Sequence, residues 1–229
     1  MDTMRKIFIL LLACCPLLCA AQTEWETPDA VKAKEAANKE VKKADKPTGK
    51  AQNEATVKNI KDWKYIQPGV VPEVDGKVVF SKDIPMEGLT AQQIYDKTYV
   101  ALDSLAHSGE QIKSGIALIN RKNYAIVARY QEWLEFSKSF ISLDRTKFNY
   151  TIMATCTDGN LNVSISRISY SYEEDRQTGF KVTAEEWIAD KHAVNKKRTK
   201  LLIGPAKFRK KTIDRKDAIF AYFSEKVKQ

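Results

Sequence analysis

Residues 152–165 read Ile152-Met153-Ala154-Thr155-Cys156-Thr157-Asp158-Gly159-Asn160-Leu161-Asn162-Val163-Ser164-Ile165, and this stretch decides the fold. Asp158-Gly159 is a two-residue hairpin signal, because the favoured turn needs positive φ at both positions and Asp and Gly tolerate it. Reflecting the chain through that turn pairs Cys156 with Leu161, Ala154 with Val163 and Ile152 with Ile165, so six apolar side chains share one face. The other face pairs Thr157 with Asn160 and Thr155 with Asn162, which is the alternation of a sheet with one packed side and one wet side. Beyond Ile165 the apolar phase slips by one residue to Ile168, Tyr170 and Tyr172. A β-bulge near Ser166-Arg167 accounts for the slip and brings Phe148 opposite Tyr170.

Toward the N-terminus, Gly115 to Asn120 and Tyr124 to Phe136 are apolar-rich runs separated by Arg121-Lys122-Asn123, which predicts a second hairpin. Upstream, Thr90 and Gln93 form a capping box ahead of Ala91, Tyr95, Thr98, Leu102 and Leu105. Their spacing of three and four predicts a helix to about His107, stopped by Gly109. Asp75-Gly76 is a turn signal, and Lys77 to Ser81 after it reads as a strand with Val78 and Phe80 on one face. Toward the C-terminus, Thr183 caps a helix with Glu186 three residues on and Trp187 and Ile188 as its apolar patch, running to about Ala193. A last helix over about 212–228 carries Ile213, Phe220, Phe223 and Val227 on one stripe. The order β-α-β-β-β-β-α-α predicts an α+β domain, an antiparallel sheet with helices packed on one face.

Several of these segments also carry a likeness. Val71-Pro72-Glu73-Val74-Asp75-Gly76-Lys77-Val78-Val79-Phe80, the helix containing Ile94-Tyr95-Asp96, then Phe148-Asn149-Tyr150 and Ile168-Ser169-Tyr170 resemble the bacterial exported domains of unknown function described as having a TATA-binding-protein-like (TBP-like) fold. The resemblance covers roughly Val71 to Tyr172, with the C-terminal helix as an extension. It implies a curved antiparallel sheet backed by helices and supplies no catalytic residues. Likeness to a DNA-binding scaffold is not an argument for DNA binding, because function resides in a site.

The N-terminus has the three-part order of a signal peptide over residues 1–21: Arg5 and Lys6, the apolar run Ile7 to Leu18, then Cys19, Ala20 and Ala21. Cleavage after Ala21 leaves Gln22 first. Leu11-Leu12-Ala13-Cys14 resembles a lipobox, so acylation at Cys14 is the competing route to an envelope lipoprotein. Either way the protein is expected to be exported, periplasmic, secreted or membrane-anchored, and no later run reaches the roughly 20 apolar residues of a transmembrane helix. Cleavage after Ala21 removes three of the four cysteines, leaving Cys156 with no intramolecular disulfide partner. Residues 22–62 are rich in Lys, Glu and Ala and lack an apolar face. They read as a spacer, disordered or marginally helical from the Thr27-Pro28 cap. Residues 63–229, roughly 165, suit one domain with one core.

Known chemistry leaves few traces. His107 and His192 have no metal-ligand spacing, the cysteines form no zinc pattern, and no nucleophile elbow or phosphate loop is present. No metal, cofactor or catalytic residue is assigned. Cys156 lies on the apolar hairpin face, where a thiol is packed and neutral. The acids Glu173-Glu174-Asp175 and Glu185-Glu186 read as a solvated loop and a cap. Among Tyr124, Tyr130, Trp133, Tyr150, Tyr170 and Tyr172, Trp133 between Glu132 and Glu135 is the candidate for a ligand groove.

The least ordinary feature is charge. The segment from Lys191 onward supplies a positive excess comparable to the chain's whole +9. Lys196, Lys197, Arg198 and Lys200 precede Leu201-Leu202-Ile203, and Arg209, Lys210 and Lys211 follow it, predicting a basic patch around an ordered strand or turn. Such a patch attracts lipid headgroups, acidic glycans or nucleic acid, and the attraction weakens with salt. The expected function is a non-catalytic binding or scaffolding domain of the envelope that contacts an anionic lipid or glycan. Its rivals are an enzyme with a dispersed site and, less in keeping with export, a binder of extracellular nucleic acid.

Overall fold

The structure, a computed structural model, describes residues 62–139 and 143–228. The expected signal peptide over residues 1–21, the expected cleavage between Ala21 and Gln22, the Cys14 lipidation reading and all of the expected spacer but Asp62 lie outside the described residues. In chain order the elements are α1 (Trp63–Ile66), β1 (Glu73–Val74), β2 (Lys77–Val78), β3 (Phe80–Pro85), α2 (Ala91–Ala106), β4 (Gly115–Asn120) and β5 (Ala125–Lys138). They continue with β6 (Leu143–Thr157), β7 (Asn160–Tyr172), β8 (Phe180–Thr183), α3 (Ala184–Trp187), α4 (Asp190–Ala193) and α5 (Pro205–Lys226). Among the described residues no helix is long and apolar enough to cross a membrane.

One antiparallel sheet runs in the order β3-β7-β6-β5-β4, and β8 pairs with the far half of β7 on the side that β3 occupies at the near half. The β6–β7 register pairs Cys156 with Leu161, Ala154 with Val163 and Ile152 with Ile165, as alternation through the Asp158-Gly159 turn predicts. The expected bulge is present. Thr151 pairs with Ser166 and Asn149 with Ser169, and Arg167 sits between them at φ +53. An extra residue in β7 resets the side-chain phase, so Ile168 and Tyr170 return to the covered face and Phe148 meets Tyr170. Tyr130, Tyr150, Phe148 and Tyr170 then form a continuous aromatic ladder, with successive centroids 5.1, 4.8 and 5.7 Å apart.

Helix α2 forms where the sequence places it, with the Thr90–Gln93 box closed in both directions. Its buried stripe of Ile94, Tyr95, Thr98, Leu102 and Leu105 lies on the sheet, and the Tyr130 hydroxyl donates to the Leu102 carbonyl at 2.8 Å. Four expectations need correction. The strand read over residues 77–81 is two strands: β2 pairs with β1, and β3 crosses to β7 after Val79. Strand β8 is too short to give an alternation and was not expected. The helix from Thr183 to Ala193 is two single turns, α3 and α4, broken at Ile188-Ala189. Helix α5 begins at Pro205 rather than near Thr212, because Gly204 at φ +96 turns the chain and Pro205 fits the first helical position.

Cys156 is 2% exposed among these packed side chains, and burial pushes its thiol up to about 11. The folded protein is therefore expected to resist maleimide at Cys156 at pH 8 and to label there fully in denaturant, read by peptide mass. Rapid native labelling at that residue would overturn the packed-thiol assignment. Since the folded form holds the proton more tightly than the unfolded one, the associated stability is present below about pH 9 and is lost as pH rises toward about 11.

Candidate binding surfaces

The C-terminal cations divide into two sets. Arg209 faces inward and is 0% exposed. Its guanidinium donates to the Tyr65 carbonyl at 2.7 Å, the Ile188 carbonyl at 2.6 Å and Asp190 Oδ1 at 2.7 Å. Arg198 is half-buried and donates to Asp190 Oδ2 and to the Ile66 carbonyl, both at 2.8 Å. Lys210 pairs with Asp62 at 2.5 Å, Lys207 with Asp144 at 2.8 Å, and Arg215 with the buried Glu132 at 2.7 Å. Together these bonds hold α1, α4 and α5 to one another and to the sheet. Arg198, Arg209 and Lys210 thus leave the expected patch, because a buried guanidinium requires carboxylate and carbonyl partners and three elements supply them.

Lys196, Lys197, Lys200 and Lys211 remain exposed, with no acidic partner among the described residues. The first three lie on a tight loop closed by the Val194–Leu201 bridge and by the Asn195 side chain, which accepts from the backbone of Thr199 and Lys200. Leu201 tucks beneath the loop against Ile66 and Val194. The chain then presents Leu202 at 39% and Ile203 at 101% exposure before entering α5. Basic loop and bare aliphatics are therefore contiguous. Lys211 stands on α5 itself, in its second turn.

Of the aromatic residues, Tyr130, Tyr150 and Tyr170 are core, Tyr124 packs edge-on to Tyr95, and Tyr172 donates to Asp144 at 2.8 Å. Trp133 is half-buried on the uncovered face, with the Arg145 guanidinium 3.8 Å from its ring centre and Lys147 at 5.9 Å. Most of the acids are engaged: Lys147 and Lys181 hold the Glu174 carboxyl down at about 2, Glu173 accepts from Arg176, and Glu186 accepts from the Thr183 amide and hydroxyl, while Asp175 is exposed. Glu185 accepts from the Val78 amide at 2.8 Å. Among the described residues no three His, Cys, Asp or Glu side chains converge to hold a metal ion.

Sequence reasoning missed a groove on the uncovered face of the sheet. It is an open, shallow groove of about 420 Å³ between the segment 113–117 and strands β5, β6 and β7, and Lys113, Arg129 and Arg167 line it. Gln131 and Asn149 lie along its floor, bonded to each other at 2.8 Å. The three cations come from distant parts of the chain, so no spacing reveals them. Only the predicted bulge placed Arg167 at an unusual position.

A curved antiparallel sheet with α2 and α5 on one side and a polar face on the other defines the class: a TBP-like α+β domain. Residues 80–171 match the family described as a domain of unknown function (DUF4468) with TBP-like fold. A DUF4468 family protein from Bacteroides ovatus is 41% identical, with a TM-score of 0.68, and the match covers 73% of this chain and 95% of that one. The chain belongs to the DUF4468 family. A TBP-like protein from Parabacteroides distasonis shares the fold at 20% identity and TM-score 0.54, over 70% of this chain and 98% of its own. No curated protein matches.

Proposed function

We propose that this is an exported, non-catalytic domain of the bacterial envelope that docks on an anionic lipid surface through the loop of Lys196, Lys197 and Lys200. One observation carries the reading: Leu202 and Ile203 stand bare directly beside three lysines that have no acidic partner among the described residues. A glycan would use the charge and ignore the aliphatics. A bilayer interface uses both, because aliphatic side chains enter the acyl boundary while lysines stay among the headgroups. Each lysine near an anionic surface contributes roughly 1 kcal/mol, so three give about 3 kcal/mol, on the order of a hundredfold in partitioning. The tripartite N-terminal segment supports the compartment, and Lys211 adds to the positive field.

Sedimentation with phosphatidylglycerol and phosphatidylcholine vesicles tests the reading. Binding is expected to the anionic vesicles alone and to fall with salt. Lys196→Gln/Lys197→Gln/Lys200→Gln is expected to weaken it by about two orders of magnitude, and Ile203→Asp by about tenfold. Equal binding to both vesicle types in high salt, or binding unaffected by Ile203→Asp, overturns it; retention on an acidic glycan but not on vesicles would assign the loop to a glycan.

A further inference from the structure

We infer that the uncovered face of the sheet carries a second binding site, independent of the lysine loop, for a small acidic ligand of sugar size bearing a carboxylate or phosphate. The groove of about 420 Å³ falls within the range of small-molecule sites, on the order of 300–1,000 Å³. Its cations Lys113, Arg129 and Arg167 are exposed, and no acidic residue lines it. Elsewhere on the same face the positive charges are occupied: Lys147 and Lys181 share Glu174, and Arg145 covers the Trp133 ring. Arg129 and Arg167 enter none of the ion pairs found among the described residues.

The register explains how the two arginines meet. Arg129 on β5 lies opposite Thr151 on β6, and Thr151 lies opposite Ser166 on β7, next to Arg167. Two strand spacings, roughly 10 Å, separate the two backbones, and the side chain between them is a threonine. Guanidinium groups on long stems converge over such a gap and recognise oxyanions through paired N–H donors. The bulge supplies the second arginine. An unbulged β7 would place one residue here on the open face, whereas the extra residue puts both Ser166 and Arg167 there, at the cost of a left-handed φ of +53. A non-glycine residue held in that region is uncommon, and a backbone outlier that aims a side chain into a cavity points to a use for that side chain.

Beside the cations, the Gln131 side-chain Nε2 donates to Asn149 Oδ1 at 2.8 Å, which leaves its side-chain oxygen Oε1 to accept from a ligand hydroxyl. Cations for the acid and an amide acceptor for hydroxyls together describe an acidic sugar or sugar phosphate rather than a bare ion or a long polyanion.

Calorimetric titration of the full chain with digalacturonate, glucose 6-phosphate and lactose tests the site. Saturable binding of at least one acidic sugar is expected, and the two acidic arms decide between carboxylate and phosphate. Lactose is expected not to bind. Arg129→Gln/Arg167→Gln should weaken binding at least tenfold, and Arg167→Gly should weaken it while holding the melting temperature at or above the parent value, since glycine suits the left-handed backbone. Lys196→Gln/Lys197→Gln/Lys200→Gln should bind the acidic sugar as the parent does, which separates this site from the vesicle-docking loop. Absence of saturable binding by both acidic sugars, or affinity unchanged in the Arg129/Arg167 double variant, overturns the inference.

Discussion

Replacing Arg209 by methionine is expected to lower the unfolding free energy by about 3–5 kcal/mol, measured by urea denaturation. The side chain is fully buried and joins three elements: the Tyr65 carbonyl of α1, the Ile188 carbonyl between α3 and α4, and Asp190 on α4. Methionine fills much of the space but leaves the buried Ile188 carbonyl and the half-buried Tyr65 carbonyl without this donor and returns Asp190 to a single partner, Arg198. Because Asp190 keeps that partner and part of its own exposure, the loss should fall toward the lower end of the range. Arg209→Lys should recover little, since one ammonium cannot reach three acceptors held in a guanidinium's plane. The sharper check is a cycle with Asp190→Asn: sharing one bond network, the two changes should be far from additive. A surface role for Arg209 would instead leave stability within about 0.5 kcal/mol of the parent.

Phe208→Ala is expected to cost a comparable about 3–5 kcal/mol and to reduce the near-ultraviolet circular dichroism of the aromatic cluster. The Phe208 ring lies 4.6 Å from Phe136, 5.1 Å from Tyr170 and 5.6 Å from Tyr172, with Phe180 and Trp187 each at 6.0 Å. Truncation opens a void bounded by large flat rings from three strands and a helix. Rings anchored by hydrogen bonds, such as Tyr170 to Thr212 at 2.7 Å, are poorly able to close it. Phe208→Leu retains much of the volume and should cost markedly less. A small loss for alanine would show that the cluster relaxes inward.

The parts of the fold legible in the sequence are those governed by short-range rules. The Asp158-Gly159 turn sets the register from Thr157–Asn160 out to Thr151–Ser166, and the phase slip after Ile165 locates within a residue the bulge that shifts it beyond. The Thr90–Gln93 box located α2 for the same reason, since a cap and its helix are adjacent in the chain. Helix α5 is legible only in its second half. Carrying the stripe of Phe220 and Ile213 back one more turn reaches Arg209 and Phe208, but a run of positive residues has the composition of a solvated face and masks the period there. Its partners, Tyr65, Ile188 and Asp190, are remote in the chain, so nothing local advertises burial. The groove was illegible for a stronger reason: Lys113, Arg129 and Arg167 meet only through strand register, and Arg167 reaches the site through a backbone conformation that its residue type disfavours.

The position of α5 in chain order bears on how the domain is made. Every strand that this helix covers precedes it, so a nascent chain that has emerged only as far as Gly204 has its sheet residues in hand but lacks Phe208, Ile213, Ile219 and Phe223 to close them. Until those residues arrive, the aromatic ladder remains sticky, the kind of surface on which partly made β proteins aggregate. Closing the core over the meander is thus a late step in the order in which the chain is made.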